Sequence, residues 1–170
     1  MPISLYDISV PAFIRGLNTL SHILKKAEDY ANEKGIPHDE FLSGSLAEDM
    51  KPLLFQIQTA SNTAKNACAR VADTEAVPMK DNEATFAELQ SRVSKTIEVL
   101  NAVEKEKFEG TEEKEVLLKV PETELKFTGT TYLLQFAIPN FYFHVTTAYA
   151  ILRMKSVPLG KADYFGGGQS

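Results

Sequence analysis

Apolar residues recur every three to four positions in the first part of the chain, between residues 10 and 31. This spacing places them on one side of a helix and is typical of helices packed in a bundle. The helix begins near Ser9, before Pro11, or one turn earlier at Leu5, and Gly35 followed by Pro37 ends it. Its predicted buried residues are Val10, Phe13, Leu17, Leu20, Leu24, Ala27 and Ala31.

Two further segments carry the same pattern. The second helix is expected to begin near Asp49, whose carboxylate can cap the first turn, with Pro52 tolerated there. The third begins with a capping box of Thr85 and Glu88, which satisfies two free backbone donors. The predicted buried residues are Leu53, Ile57, Ala60, Ala64, Ala67 and Val71 in the second helix, and Phe86, Leu89, Val93, Thr96, Leu100 and Val103 in the third.

The period then changes from three or four residues to two. The segments KEVLLKV and ELKFT, residues 114–120 and 124–128, alternate apolar and polar side chains on either side of the turn PET. This pattern predicts a small β-hairpin, which should pack against the helices because isolated hairpins are marginally stable.

A fourth helix is predicted from about Thr131 to Lys155, with a bend at Pro139, which removes a backbone hydrogen bond. One stripe of this helix is apolar throughout: Leu134, Ile138, Phe141, Val145, Ala148 and Leu152. The neighbouring stripe, Leu133, Ala137, Asn140, His144, Thr147 and Ile151, has three polar members. No charged residue occurs from 127 to 152, but unpaired amide and imidazole groups are costly in hydrocarbon, which argues against a membrane span.

Composition limits the class of protein further. The 170 residues fit one domain over 1–170, with a flexible tail expected at 164–170. A net charge of -5 without a basic stripe argues against nucleic-acid binding. The single cysteine, Cys68, cannot form a disulfide within the chain, and its Ala-rich surroundings favour a buried thiol. The N-terminal residues lack a basic signal-peptide region, so a cytoplasmic location is expected.

The candidate site lies on the polar stripe of the fourth helix. Asn140 and His144 are one turn apart and share a helix face. His144 can act as a general acid or base near neutral pH. It can equally be a buried imidazole that is hydrogen-bonded to Asn140, to Gln56 at the edge of the second buried stripe, or to Asp49. The spacing alone leaves both interpretations open.

The motifs also resemble a known family. The segments SLYDISVPAFIRGLNTLSHILKKAE, LAEDMKPLLFQIQTASNTAK, DNEATFAELQSRV and FAIPNFYFHVTTAYAILR, followed by VPLGKADYFG, are similar to the domain-of-unknown-function family DUF1993 over essentially the whole chain. That family is similar to the DinB-like superfamily. The resemblance implies an all-α fold, a DinB-like four-helix bundle running up-down-down-up with a small β-hairpin before the last helix, and a homodimer.

In the DinB-like superfamily, one histidine on the second helix and two on the fourth usually hold a divalent metal. The pattern on the last helix places His144 at the second histidine, with Leu152, Arg153 and Pro158 at matching offsets, and Asn140 at the first. Gln56 is the best match for the histidine on the second helix. One imidazole with two amides is a poor zinc site, so the resemblance implies a degenerate site with no metal or other cofactor.

The leading hypothesis is a small-molecule-binding or accessory catalytic protein, acting in secondary metabolism, with a metal-free polar cavity. His144 and Asp49 are the candidate catalytic residues, and Gln56, Asn140, Tyr132 and Tyr149 are the candidate ligand-binding residues. One alternative is a metal-dependent hydrolase, transferase or isomerase with Asp49 and His144 as ligands. The other is a non-catalytic structural dimer.

Overall fold

Four long helices account for about half of the chain, and the computed structural model describes residues 3–166. The helices are α1 Leu5–Lys34, α2 Asp39–Leu42, α3 Leu53–Ala72, α4 Phe86–Asn101, α5 Gly129–Thr131, α6 Ile138–Met154 and α7 Lys161–Tyr164. The strands are β1 Glu115–Val120 and β2 Thr123–Thr128. A 3-10 turn spans Lys105–Phe108, and a π-helical segment, Tyr132–Ala137, joins α5 to α6.

Side-chain contacts fix the directions of the long helices. Gln56 is hydrogen-bonded to His144, and Thr63, later in α3, is hydrogen-bonded to Asn140, earlier in α6. The two helices α3 and α6 are therefore antiparallel. Ser21 meets Gln90 near the middle of α1, while Asp7 near its start meets Lys105 just beyond α4, so α1 and α4 are antiparallel.

The remaining pairs are parallel. Gln58 bonds Glu83 just before α4, and Ser61 bonds Thr96 further along it, so α3 runs with α4. Near the start of α1, Leu5 approaches Gly129, and Gly16 further along lies against Phe141, so α1 runs with α6. The predicted up-down-down-up order is therefore the observed one.

The bundle core is the one that the apolar spacing predicts. Every residue of the three predicted stripes on the first three long helices is buried. The predicted start of the third long helix is also confirmed, because the capping box of Thr85 and Glu88 begins α4. The hydrophobic pattern thus defines both the existence of these helices and the faces by which they pack.

The predicted helix starts are less accurate. A capping box of Ser4 and Asp7 begins α1 at Leu5, the earlier of the two alternatives, and Gly35 ends it in the left-handed conformation with φ of 65°. The prediction that Asp49 caps the second helix is wrong: α3 begins at Leu53 after Pro52, with no side-chain cap. Asp49 lies in an exposed turn before the helix.

The hairpin forms where predicted, but its turn is shorter. Val120 pairs with Thr123, so the turn contains Pro121 and Glu122 rather than three residues. Val116 and Leu118 are buried toward the helices, and Phe127, opposite Val116, packs against Tyr132.

The π-helical segment explains an error in the predicted fourth helix. It ends at Ala137, two residues before Pro139, where the missing N–H and the ring disturb regular α-helical bonding. A π-turn rotates the residues that precede it relative to a regular helix. Leu134, assigned to the buried stripe by regular spacing, is therefore 52% exposed.

The C-terminal helix α7 packs against the bundle. The backbone carbonyl of Tyr164 accepts a hydrogen bond from Thr19, and its hydroxyl is bonded to Thr146. The rest of the predicted flexible tail, 167–170, lies outside the described residues. Within 3–166, no helix is both long and apolar enough to cross a membrane.

Candidate functional site

The centre of the candidate site is a hydrogen bond between α3 and α6. Nδ1 of His144 lies 2.7 Å from Oε1 of Gln56, and both residues are buried, with 8% and 2% of their surface exposed. Of the three partners considered for His144, the structure selects Gln56. This polar pair lies in the buried interface between the two helices, where a polar group needs a partner.

The surroundings of Gln56 determine which nitrogen of His144 carries the proton. Nε2 of Gln56 donates a 2.8 Å hydrogen bond to the backbone carbonyl of Lys51, so its Oε1 faces the imidazole. That oxygen can only accept, and Nδ1 of His144 must therefore donate. In the neutral imidazole, Nε2 of His144 then keeps its lone pair.

The unprotonated nitrogen is not enclosed. Nε2 of His144 has no hydrogen-bond partner among residues 3–166, yet it is not one of the buried unpaired atoms of this part of the chain. Two aromatic rings flank the imidazole: Phe55, at 6.0 Å between centroids, and Phe143, at 5.2 Å. Both rings are exposed, by 37% and 57%. The site is thus a single hydrogen-bond acceptor between two apolar surfaces that are open to solvent.

Burial sets the charge of the imidazole. Loss of hydration lowers the pKa of His144 below its ordinary value, because the charged form is less well solvated inside the protein. His144 is therefore neutral at pH 7. A neutral imidazole with a free lone pair can accept a hydrogen bond or a proton from a bound molecule.

A second polar contact joins the same helices one step along the interface. Nδ2 of Asn140 donates a 2.9 Å hydrogen bond to the hydroxyl of Thr63. Asn140 is half-buried and Thr63 is buried. Asn140 precedes His144 by one turn and Thr63 follows Gln56 by two, so the two contacts are consecutive rungs between antiparallel helices.

The other predicted site residues lie elsewhere. Asp49 is exposed, and among the described residues no hydrogen bond or ion pair joins it to His144. Tyr132 is fully buried beside the hairpin, where its hydroxyl accepts a 2.9 Å hydrogen bond from Arg70. Tyr149 packs edge-on against Tyr164 near the C-terminal helix. The structure thus brings together Gln56, Asn140 and His144. It places Asp49, Tyr132 and Tyr149 away from them.

Sequence reasoning missed the side chains that surround the imidazole. Thr63 lies one heptad after Gln56, and this spacing could have identified it as the partner of Asn140. Phe55 and Phe143 are sequence neighbours of Gln56 and His144, at positions that the helical wheel assigns to the exposed edge of the bundle. Large aromatic residues at exposed positions were the available signal.

The residues present do not fit the metal site of the wider superfamily. Gln56 and Asn140 use their amides in hydrogen bonds to Lys51, His144 and Thr63, which leaves one imidazole nitrogen as a strong ligand. No group of three or more His, Cys, Asp or Glu side chains that could hold a metal ion occurs in the described part of the chain. A single neutral donor is too few for zinc or its neighbours.

A cleft lies next to the polar residues of α6. A shallow cleft of about 450 Å³ begins beside His144 at Phe143 and Thr147, and its other walls are Leu46, Tyr142, Thr146 and Ala150. Cys68, by contrast, is buried, and burial raises its thiol pKa to about 12, so it is not a nucleophile.

The arrangement of the elements defines the class of protein. Four helices run up-down-down-up, a two-stranded hairpin precedes the last of them, and a histidine on that last helix faces the second long helix. These are the features of a DinB-like four-helix bundle.

Comparison with known proteins identifies the family. The sequence model of the domain of unknown function DUF1993 matches residues 5–165, and the chain belongs to that family. The structure is similar to the crystal structure of a DinB family member protein from Shewanella denitrificans, with 36% sequence identity and a TM-score of 0.87. The similarity covers 98% of this chain and 94% of the other. No curated protein matches the sequence.

Proposed function

We propose that the protein binds a small molecule at the surface between α3 and α6, with Nε2 of His144 as the acceptor of a hydrogen bond or a proton. The observation that supports this is the orientation of the imidazole: Gln56 holds Nδ1–H, and Nε2 has no partner among residues 3–166. The buried nitrogen of the imidazole is thus satisfied within the protein, and the other nitrogen is left for a partner from outside it.

The ligand class follows from the walls of the site. Phe55 and Phe143 offer exposed aromatic faces on either side of the acceptor, and the neighbouring cleft is lined almost entirely by apolar atoms. We infer a ligand with an apolar group that lies against these rings and a hydroxyl, thiol or ammonium donor that reaches Nε2. Such compounds are compatible with a role in secondary metabolism.

The chemistry available to such a ligand is proton transfer. Nε2 accepts the donor proton, while the proton on Nδ1 stays bonded to Oε1 of Gln56, so the imidazolium keeps both N–H groups hydrogen-bonded. Asn140 and Thr63 hold the next turn of α6 in place and act as positioning residues. Asp49, Tyr132 and Tyr149 have no part in this proposal, because none of them contacts His144.

A fragment screen by ligand-observed NMR tests the proposal. Small aromatic alcohols, thiols and amines should bind the wild-type protein, and the imidazole signals of His144 should shift as they saturate. His144→Phe keeps an apolar ring but removes the acceptor, and should weaken binding at least about tenfold, the value of one hydrogen bond to a desolvated group.

The matched control separates the acceptor from the packing. Met154→Ala alters an exposed position of α6 that lines neither the cleft nor the imidazole, and it should leave fragment binding unchanged. Binding that is equally strong in wild type and His144→Phe would refute the role of Nε2. Loss of stability without loss of any binding in His144→Phe would favour the alternative of a purely structural polar contact.

A further inference from the structure

A crossover of thirteen residues, 73–85, connects the two parallel helices α3 and α4. Because both helices run the same way, residues 73–85 must return along the length of α3 before α4 can begin. The contacts follow this return path: Asp81 bonds Asn62, and further on Glu83 bonds Gln58, which lies earlier in α3. The crossover is thus held as an ordered strap, defined here as residues 73–85.

A buried guanidinium fastens the strap. The side chain of Arg92 on α4 is 1% exposed and pairs with Asp81 at 2.7 Å and Glu83 at 2.8 Å. It also donates to the carbonyl of Lys80 and to Oδ1 of Asn62. Because four partners surround one rigid planar group, the strap near 80–83 is fixed relative to both helices.

The strap and α4 together line a cavity that is partly open to solvent. Its volume is about 540 Å³, within the range of small-molecule sites, and the polar cluster around His144 is not part of its lining. One side is apolar, formed by Val77, Pro78 and Met79 of the strap and Val99 of α4. The sulfur of Met79 lies 3.9 Å from the buried hydroxyl of Ser61 and 3.8 Å from that of Thr96.

The charged groups around this cavity differ in how far they are already paired. Glu83 is bonded to Arg92 and Gln58, and Glu88 caps α4 through the N–H groups of Ala84 and Thr85. Lys80 and Lys95 have no ion-pair partner among the described residues, and Glu98 is the one lining carboxylate of that part of the chain without a partner. Among the described residues, the lining therefore contains two ammonium groups and one carboxylate that have no ion-pair partner.

We propose that this cavity, the strap site, binds a small amphipathic anion, whose apolar body lies against Val77, Met79 and Val99 and whose carboxylate is paired with Lys80 and Lys95. The site is separate from His144 and does not depend on the function proposed for it. Arg92 takes part only by holding the strap, because its terminal nitrogens are already bonded within the protein.

Met79 provides a direct probe of the strap site. The chain contains four methionines, so protein labelled with ¹³C at the methionine methyl groups gives a simple NMR spectrum, in which Met79→Leu identifies the Met79 signal. Titration with octanoate should shift the Met79 signal saturably and leave those of Met50 and Met154 unchanged. Octylammonium has the same alkyl chain and the opposite charge. It should bind at least about fivefold more weakly, because the ammonium groups of Lys80 and Lys95 repel it.

Two variants test the charge assignment. Lys80→Gln with Lys95→Gln changes exposed side chains, which preserves the fold, and should weaken octanoate binding roughly tenfold, as expected for two partly exposed ion pairs. Glu98→Gln is the matched control and should keep or improve the affinity. The proposal is overturned if Met79 shows no saturable shift, if octylammonium binds as well as octanoate, or if the double variant binds octanoate like the wild type.

Discussion

At the scale of single residues, Gln56 determines what His144 can do. Its neutral amide oxygen accepts a hydrogen bond from Nδ1–H without favouring the charged imidazolium, and burial then lowers the pKa of His144. A carboxylate in the same place would favour the imidazolium strongly. The neutral state of the site is therefore a consequence of one amide in place of an acid.

Gln56→Glu should raise the pKa of His144, because the new carboxylate accepts the Nδ1–H bond and attracts the positive ring. Titration of the imidazole by NMR measures this pKa in both proteins. Gln135→Glu, which adds the same charge at an exposed position, is the control and should leave the pKa near the wild-type value. Equal pKa values for Gln56→Glu and wild type would show that the two side chains are not in contact.

At the scale of elements, the packing of α1 on α6 depends on a missing side chain. A Cβ added at Gly16 would lie 2.3 Å from Cε1 of Phe141, much closer than carbon atoms can approach. Phe141 is fully buried and packs edge-on against Phe13, so it has little room to move. Glycine here is required by the close approach of two helices and not by its backbone conformation.

Gly16→Ala should therefore lower the free energy of unfolding by about 2 kcal/mol, the usual cost of overpacking a core, despite the better helix propensity of alanine. Urea denaturation measures the difference. Phe141→Leu in the same protein should recover part of the loss, because it removes the ring that the new methyl group meets. Asn18→Ala, an exposed substitution in α1, should change stability by less than about 0.5 kcal/mol. Additive effects of the first two substitutions would contradict the contact.

Much of the fold at this scale was predictable from the sequence, and the exceptions have physical causes. The three apolar stripes and the capping box at Thr85 are repeated local signals, and the structure confirms them. Asp49 failed as a cap because Pro52 begins the helix later, and single residues mark a helix end weakly. The exposure of Leu134 depends on a π-turn, which regular spacing cannot show.

The candidate site was only partly predictable for a similar reason. Gln56, Asn140 and His144 lie on predicted faces of two helices, so their proximity follows from periodicity together with the family resemblance. The assignments of Tyr132 and Tyr149 depended on where their side chains point. Tyr132 turns to Arg70 near the hairpin, and Tyr149 turns to Tyr164, a contact between segments that periodicity does not relate.

At the scale of the whole molecule, His144 makes stability depend on pH. The folded state holds the pKa of this imidazole below that of the unfolded chain, near 6.5, so the unfolded state takes up the proton first as the pH falls. The contribution of the neutral pair is complete above about pH 6.5 and decreases below it.

The free energy of unfolding should therefore fall between pH 7.5 and 5.5 by more in the wild type than in His144→Gln, which cannot take up a proton. Urea denaturation at the two pH values measures both changes, and the difference between the proteins removes contributions from other groups. Identical pH dependence in the two proteins would show that the imidazole is not buried in its neutral form.

The assembly of the molecule is a second question at this scale. We propose a homodimer, which the resemblance to the DinB-like superfamily implies. Light scattering should then give twice the chain mass at micromolar concentration. A single-chain mass for the wild type at every concentration would refute the dimer.

The orientation of His144 is tested most directly by ¹⁵N–¹H NMR of the imidazole at pH 7.5, where couplings across the ring show which nitrogen carries the proton. We predict a proton on Nδ1, bonded to Gln56, and an unprotonated Nε2 that is available to a ligand. Gln56→Leu, which removes the acceptor, should shift the population toward the other tautomer. A proton on Nε2 in the wild-type protein would contradict the proposed role of His144.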